Sequence, residues 1–97
     1  EDETRIFGKK KERNFKDKMT IENHKSRPID LLLIDHVPVS QHEDIEVSGI
    51  KFSEKPTESD PEKGIVTWKL SLGPGEKREI IVEFTVTHPL DMPVTGL

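Results

Sequence analysis

The chain has 97 residues, 31% hydrophobic and 35% charged, which suits a single domain over 1–97 with a modest core, since a chain this long buries roughly 60–65% of its unfolded surface. The absence of cysteine excludes a disulfide scaffold, a thiol nucleophile and a thiolate metal site, and the absence of any apolar run of about 18 residues excludes a membrane-inserted helix. The net charge of −4 is uneven, with residues 1–27 at +3 and the remaining seventy at −7, and so acidic a majority repels phosphate backbones, so no nucleic-acid partner is expected.

Helix signals are poor, with no window repeating apolar residues at i, i+3, i+4 and i+7 before a Gly or Asn stop. Period-two alternation recurs instead. A weak segment, Thr4 to Phe7, precedes a first clear strand from Arg13 to Asn23. That strand sets Phe15, Met19 and Ile21 against Asn14, Lys16, Lys18 and Thr20, with Asp17 on the apolar side, as at an edge or rim. Asn23 to Pro28 reads as a polar turn, because Asn tolerates left-handed backbone and Pro lacks a ladder donor.

Ile29 to Val37 is the next strand, and its Leu31-Leu32-Leu33-Ile34 run is apolar on both faces, as in a central strand covered on each side. Ile45 to Phe52 follows. Ile45 and Val47 alternate up to Gly49, then Ile50 and Phe52 continue on the opposite parity, the mark of a β-bulge. Ser53 to Lys63 reads as a loop with two prolines and four acids. Ile65 to Leu72 places Val66, Trp68, Leu70 and Leu72 on one face, with Trp68 as core anchor. After a tight Gly73-Pro74-Gly75-Glu76 connection, Arg78 to His88 alternates Ile80, Val82, Phe84 and Val86 with Ile81, Glu83, Thr85 and Thr87 until Pro89. The expected fold is all-β, an immunoglobulin-like two-sheet β-sandwich of about six to seven strands. The Cys…Trp…Cys and corner-tyrosine signatures of antibody domains are missing.

The segment Asp35 to His42, DHVPVSQH, admits chemical readings. A nucleophilic triad could draw on Ser40, His36 or His42, and Asp35 or Asp44, but no Gly-x-Ser-x-Gly elbow presents the serine. A metal-dependent hydrolase or ligand-binding module could use Asp35, His36, His42 and Asp44, with Glu43 adjacent, though the His-x5-His spacing across a proline matches no recognised ligand pattern. The structural alternative is a bend: Pro38 stops the strand, Asp35 or Ser40 accepts from backbone amides, Val37 and Val39 stay packed, and His42-Glu43-Asp44 is solvated. The bend accounts for more of the residues, so no catalytic, cofactor-binding or metal site, and no cofactor, is assigned.

Lys9-Lys10-Lys11-Glu12-Arg13, with Lys16 and Lys18, could bind a polyanion, or its lysines could protect an edge strand; without interleaved Tyr or Trp the second reading is preferred. Gly73-Pro74-Gly75 lacks the Lys-Ser/Thr of a phosphate loop, and His24 and His88 are expected at exposed turns or strand ends.

Asn23-His24-Lys25, Pro28, Asp35-His36-Val37-Pro38-Val39-Ser40, Ile45 and Val47 form one ordered set. Gly64-Ile65-Val66-Thr67-Trp68-Lys69-Leu70, Pro74-Gly75-Glu76-Lys77, His88-Pro89 and Gly96-Leu97 continue it. From about residue 13 onwards this set resembles the C-terminal region of the mucoidy inhibitor A-like family. The resemblance implies a domain of unknown function closing a longer chain, after an N-terminal β domain and a coiled-coil middle, and it brings no catalytic residue. Glu1 in place of an initiator methionine also suits an excised domain. The expected role is therefore non-catalytic: protein–protein contact or structural capping, with other domains of the parent chain or a protein partner.

Overall fold

Period-two alternation is realised as seven antiparallel strands in two sheets, described over residues 2–90 in a computed structural model. The strands are β1 (Asp2–Phe7), β2 (Lys10–Glu22), β3 (Ile29–His36), β4 (Glu46–Phe52), β5 (Glu58–Asp60), β6 (Ile65–Leu72) and β7 (Lys77–Pro89). One sheet has the order β1-β2-β7-β4 and the other β3-β6-β5. The four-plus-three division is that of a constant-type immunoglobulin sandwich, with the fifth and last strands exchanged relative to that domain's order. Two hairpins, β1–β2 and β5–β6, stay within a sheet, and every other connection crosses between sheets.

The core follows directly from the alternation. β6 contributes Val66, Trp68 and Leu70, and β7 contributes Ile80, Val82, Phe84 and Val86. Phe15, Met19 and Ile21 from β2, Leu31 and Leu33 from β3, and Val47 and Phe52 from β4 pack against this cluster. Each large apolar side chain taken out of water contributes roughly 1.5–3 kcal/mol. Trp68 is fully buried, as expected of an anchor; its indole donates Nε1–H to the Glu54 carbonyl at 2.8 Å and meets the Phe52 ring edge-on at 5.7 Å. Phe15 and Phe84, opposite each other in the β2–β7 ladder, stack at 5.0 Å.

The glycine parity switch in β4 is a bulge. Ser48 pairs with Thr85 but Lys51 with Glu83, so Gly49 and Ile50 together face Phe84, and Gly49 takes φ +62°. Val47 and Phe52, of opposite parity, can then both face inwards, against Val86 and Val82.

Asn23 ties the crossovers together at one end of the sandwich. Its buried side-chain amide donates to the carbonyls of Arg27 (2.8 Å), Leu72 (3.2 Å) and Gly73 (3.0 Å), while its Oδ1 accepts from the Lys25 amide at 2.9 Å. The backbone of Asn23 bonds Glu76 and Gly75. The expected left-handed backbone is not what qualifies Asn here, because no described non-glycine residue has positive φ; the side-chain bonding is. The β6–β7 connection is a tight turn closed by Glu76 N–H to Gly73 O at 3.1 Å, with Pro74 second and Gly75 third at φ +71°, a type II arrangement.

Four expectations need correction. The Ser53–Lys63 loop contains β5, a three-residue strand without a large apolar side chain that pairs with β6, so its polar sequence hid it. β3 is an edge strand, not a central one: Leu31 and Leu33 face the core, while Leu32 and Ile34 stand 61% and 64% exposed on the outer face. His88 is buried, since it continues the inward parity of β7, and its Nδ1 lies 2.8 Å from the Pro89 carbonyl. The basic stripe also sits differently. Over residues 10–15 β2 lies between β1 and β7, and β1 stops opposite Phe15, leaving Asp17 exposed beyond it as a rim position. Lys16 and Lys18 pair with Glu83 (3.8 Å) and Glu79 (3.3 Å) of β7.

Candidate functional site

The Asp35–His42 segment is a bend. β3 ends at His36, Val37 N–H bonds Gly64 O at 2.7 Å, and Val37 is buried while Val39 is half-buried. Ser40 Oγ accepts the His42 amide at 3.2 Å and lies 2.7 and 2.6 Å from the carbonyls of His42 and Ile45, so the hydroxyl is occupied within its own loop. His42 Nδ1 accepts from the Asp44 amide at 3.1 Å. Glu43 and Asp44 are exposed, as expected. Asp35 and His36 point to opposite faces because they are successive strand residues. Among the described residues no group of three or more His, Cys, Asp or Glu side chains converges to hold a metal.

Around this bend the sandwich gapes between β4 and β5. Val39, Ile50, Phe52, Pro61 and Ile65 line an open apolar groove of ≈ 320 Å³ there. Gly64 forms its floor at φ +70°, so close to Val37 that a Cβ would stand 2.2 Å from that residue's carbonyl oxygen.

The more exposed feature is the outer edge of the three-stranded sheet. Among the described residues β3 pairs with β6 alone. Val37 N–H bonds Gly64 O, continuing the register in which His36 faces Ile65. Antiparallel ladders alternate hydrogen-bonded and non-bonded pairs. The odd residues of β3 therefore turn their N–H and C=O groups towards β6, and Asp30, Leu32, Ile34 and His36 turn theirs outwards. Those same four residues carry their side chains on the exposed outer face. Opposite them on β6 stand Ser71, Lys69, Thr67 and Ile65, with Asp30 accepting from Ser71 Oγ at 2.6 Å and Lys69 ion-paired to Glu58 at 3.1 Å. Four outward backbone positions thus coincide with two bare aliphatic side chains, on a strand lacking the lysines and prolines that usually blunt an edge. The apolar run was visible in the sequence, but its exposure was not, since an uninterrupted LLLI reads alike in a covered and an uncovered strand.

At the opposite end of β6, Glu76 is the described group with a displaced titration. Its Oε1 accepts from the Gly73 amide at 2.9 Å and its Oε2 from Arg78 at 2.9 Å. The first bond, then the second, holds its carboxyl below the ordinary glutamate value of 4.5.

Fold and surface define, among the described residues, an all-β, seven-stranded sandwich in which β3 pairs on one side only. The chain belongs to the family described as Domain of unknown function (DUF4139), which matches it over residues 1–90. The Gly96-Leu97 part of the motif set lies outside both that match and the described residues. No curated protein and no solved structure matches the chain.

Proposed function

We propose that this domain is a non-catalytic contact module of a larger protein, docking by strand addition at the β3 edge. The observation that carries the reading is the coincidence of outward-facing backbone groups with exposed Leu32 and Ile34 on one edge strand. A peptide strand laid there gains main-chain hydrogen bonds and covers both side chains, removing an edge that otherwise invites aggregation. The resemblance to the C-terminal region of the mucoidy inhibitor A-like family supports a place within a longer chain, whose other domains, or a protein partner, would supply the strand. Asp35, His36, His42 and Asp44 have no catalytic part in this reading.

Amide hydrogen exchange tests it. In the isolated domain, diluted until it is monomeric, the amides of Leu32 and Ile34 should exchange at least a hundredfold faster than those of Leu31 and Leu33, which bond β6. In the intact parent protein they should become protected. Unchanged fast exchange of Leu32 and Ile34 in the parent would refute strand addition at this edge.

A further inference from the structure

We infer that the strand added to β3 is the β3 of a second copy of this chain, paired antiparallel about Leu33. The inference rests on the strand-addition reading and names its partner. One antiparallel register of β3 against itself is self-complementary.

Opposed residues in an antiparallel pair share a face, and a two-fold axis perpendicular to the sheet maps outer face onto outer face. Only even residues can then oppose even ones. With Leu33 on the axis, Leu32 meets the partner's Ile34, and Asp30 meets the partner's His36. Apolar therefore faces apolar, and a carboxylate faces an imidazole, twice each by symmetry. On the inner face Leu33 meets the partner's Leu33, while Leu31 lies beside the partner's Asp35. The neighbouring registers lose this match. Centring on Leu32 sets Asp30 against the partner's Ile34, and centring on Ile34 sets Leu32 against the partner's His36.

The backbone agrees with the side chains. Asp30, Leu32, Ile34 and His36 turn N–H and C=O towards the open edge, so both pairs, Leu32–Ile34 and Asp30–His36, fall at hydrogen-bonded positions of the new ladder, and the Leu33 pair at the non-bonded position on the axis. Two three-stranded sheets would become one sheet of six, and each β3 would cease to be an edge.

Sedimentation velocity on this chain from micromolar to millimolar concentration should show a concentration-dependent dimer. Leu32→Lys should weaken association at least tenfold while leaving Trp68 emission native, because Leu32 is outside the core. Charge exchange tests the register. Asp30→Lys alone and His36→Asp alone should each weaken self-association at least tenfold, and an equimolar mixture of the two should recover a mixed dimer, since each variant supplies the charge the other needs. A chain monomeric throughout, a dimer indifferent to Leu32→Lys, or a mixture no stronger than its components would overturn the inference. A monomer whose Leu32 and Ile34 amides are nevertheless protected in the parent protein would refute the second copy alone and leave strand addition standing.

Discussion

Two glycines with nearly equal backbone angles are required for different reasons. At Gly64, φ is +70° and any Cβ would meet the Val37 carbonyl at 2.2 Å and Val39 Cγ2 at 2.8 Å. At Gly49, φ is +62° and a Cβ would meet only Thr85 Oγ1, at an ordinary 3.8 Å. Gly64→Ala should therefore cost about 3 kcal/mol, and Gly64→Asn should fare no better, because the obstacle is backbone rather than dihedral preference. Urea unfolding of both variants checks this; an Asn variant much more stable than the Ala variant would show that strain, not collision, dominates. Glu76 gives a pH dependence with a definite sign. Its folded titration lies below the ordinary value of 4.5, so the stability it adds is complete above that value and is lost as pH falls through the folded one. Glu76→Gln retains an acceptor for the Gly73 amide but not the charge held by Arg78. Wild type should be the more stable at pH 7, and the gap should close as pH falls from the ordinary glutamate value of 4.5 through the lowered folded one; a gap constant with pH would exclude this account. Residue types alone did not disclose that Asn23 is a buried four-bond clasp, since Asn before a polar stretch reads as a turn former whether or not three carbonyls lie within reach.

Among the elements, legibility tracked alternation. β6 and β7 each place apolar residues at every second position over a long run, and β2 does so at Phe15, Met19 and Ile21 with Asp17 interrupting, so their faces were readable in advance, Trp68 included. The bulge was readable too, because the parity of Val47 and Phe52 conflicts unless one residue is extra. Its glycine can be tested separately from the fold around it. Gly49→Val should cost about 1–2 kcal/mol, the cost of left-handed backbone for a residue with a Cβ. Gly49→Asn should cost distinctly less, since Asn visits that region more readily. Equal losses in thermal unfolding would mean that the bulge does not govern the site. β5 could not be read, because Glu58-Ser59-Asp60 has no apolar member and owes its place to pairing with β6 and to Thr57, whose Oγ1 accepts from the Lys69 amide at 3.0 Å. The neighbours of β3 were equally hidden. An apolar run records that a strand is sticky on both faces but not what lies beside it, so the candidate edge emerges only once the strand order is known.

For the whole molecule, the long strands matter most. β2 and β7 each run 13 residues, while β3 and β6 run eight. The larger sheet therefore extends past the smaller one, and the chain measures 54 × 25 × 19 Å. β1 pairs only with the Lys10 to Phe15 part of β2, and Glu3, Thr4, Arg5 and Ile6 are all exposed. Of these four, Ile6 alone is apolar. Removing residues 1–8 should accordingly leave a cooperative unfolding transition reported by Trp68, with a loss of no more than about 2 kcal/mol. Hydrogen exchange should show β1 opening well below the global unfolding free energy. Loss of the cooperative transition in the truncated chain would mean that the hairpin is integral to the sandwich.

Trp68 also equips the domain with its own optical gauge. It is the sole tryptophan in a chain without tyrosine, fully buried and hydrogen-bonded to Glu54, so the near-ultraviolet emission arises from one rigid indole. It stands directly across the ladder from Leu33. A quencher unable to enter the core should leave the light of the native protein undimmed, and sudden dimming would report that the two sheets had parted.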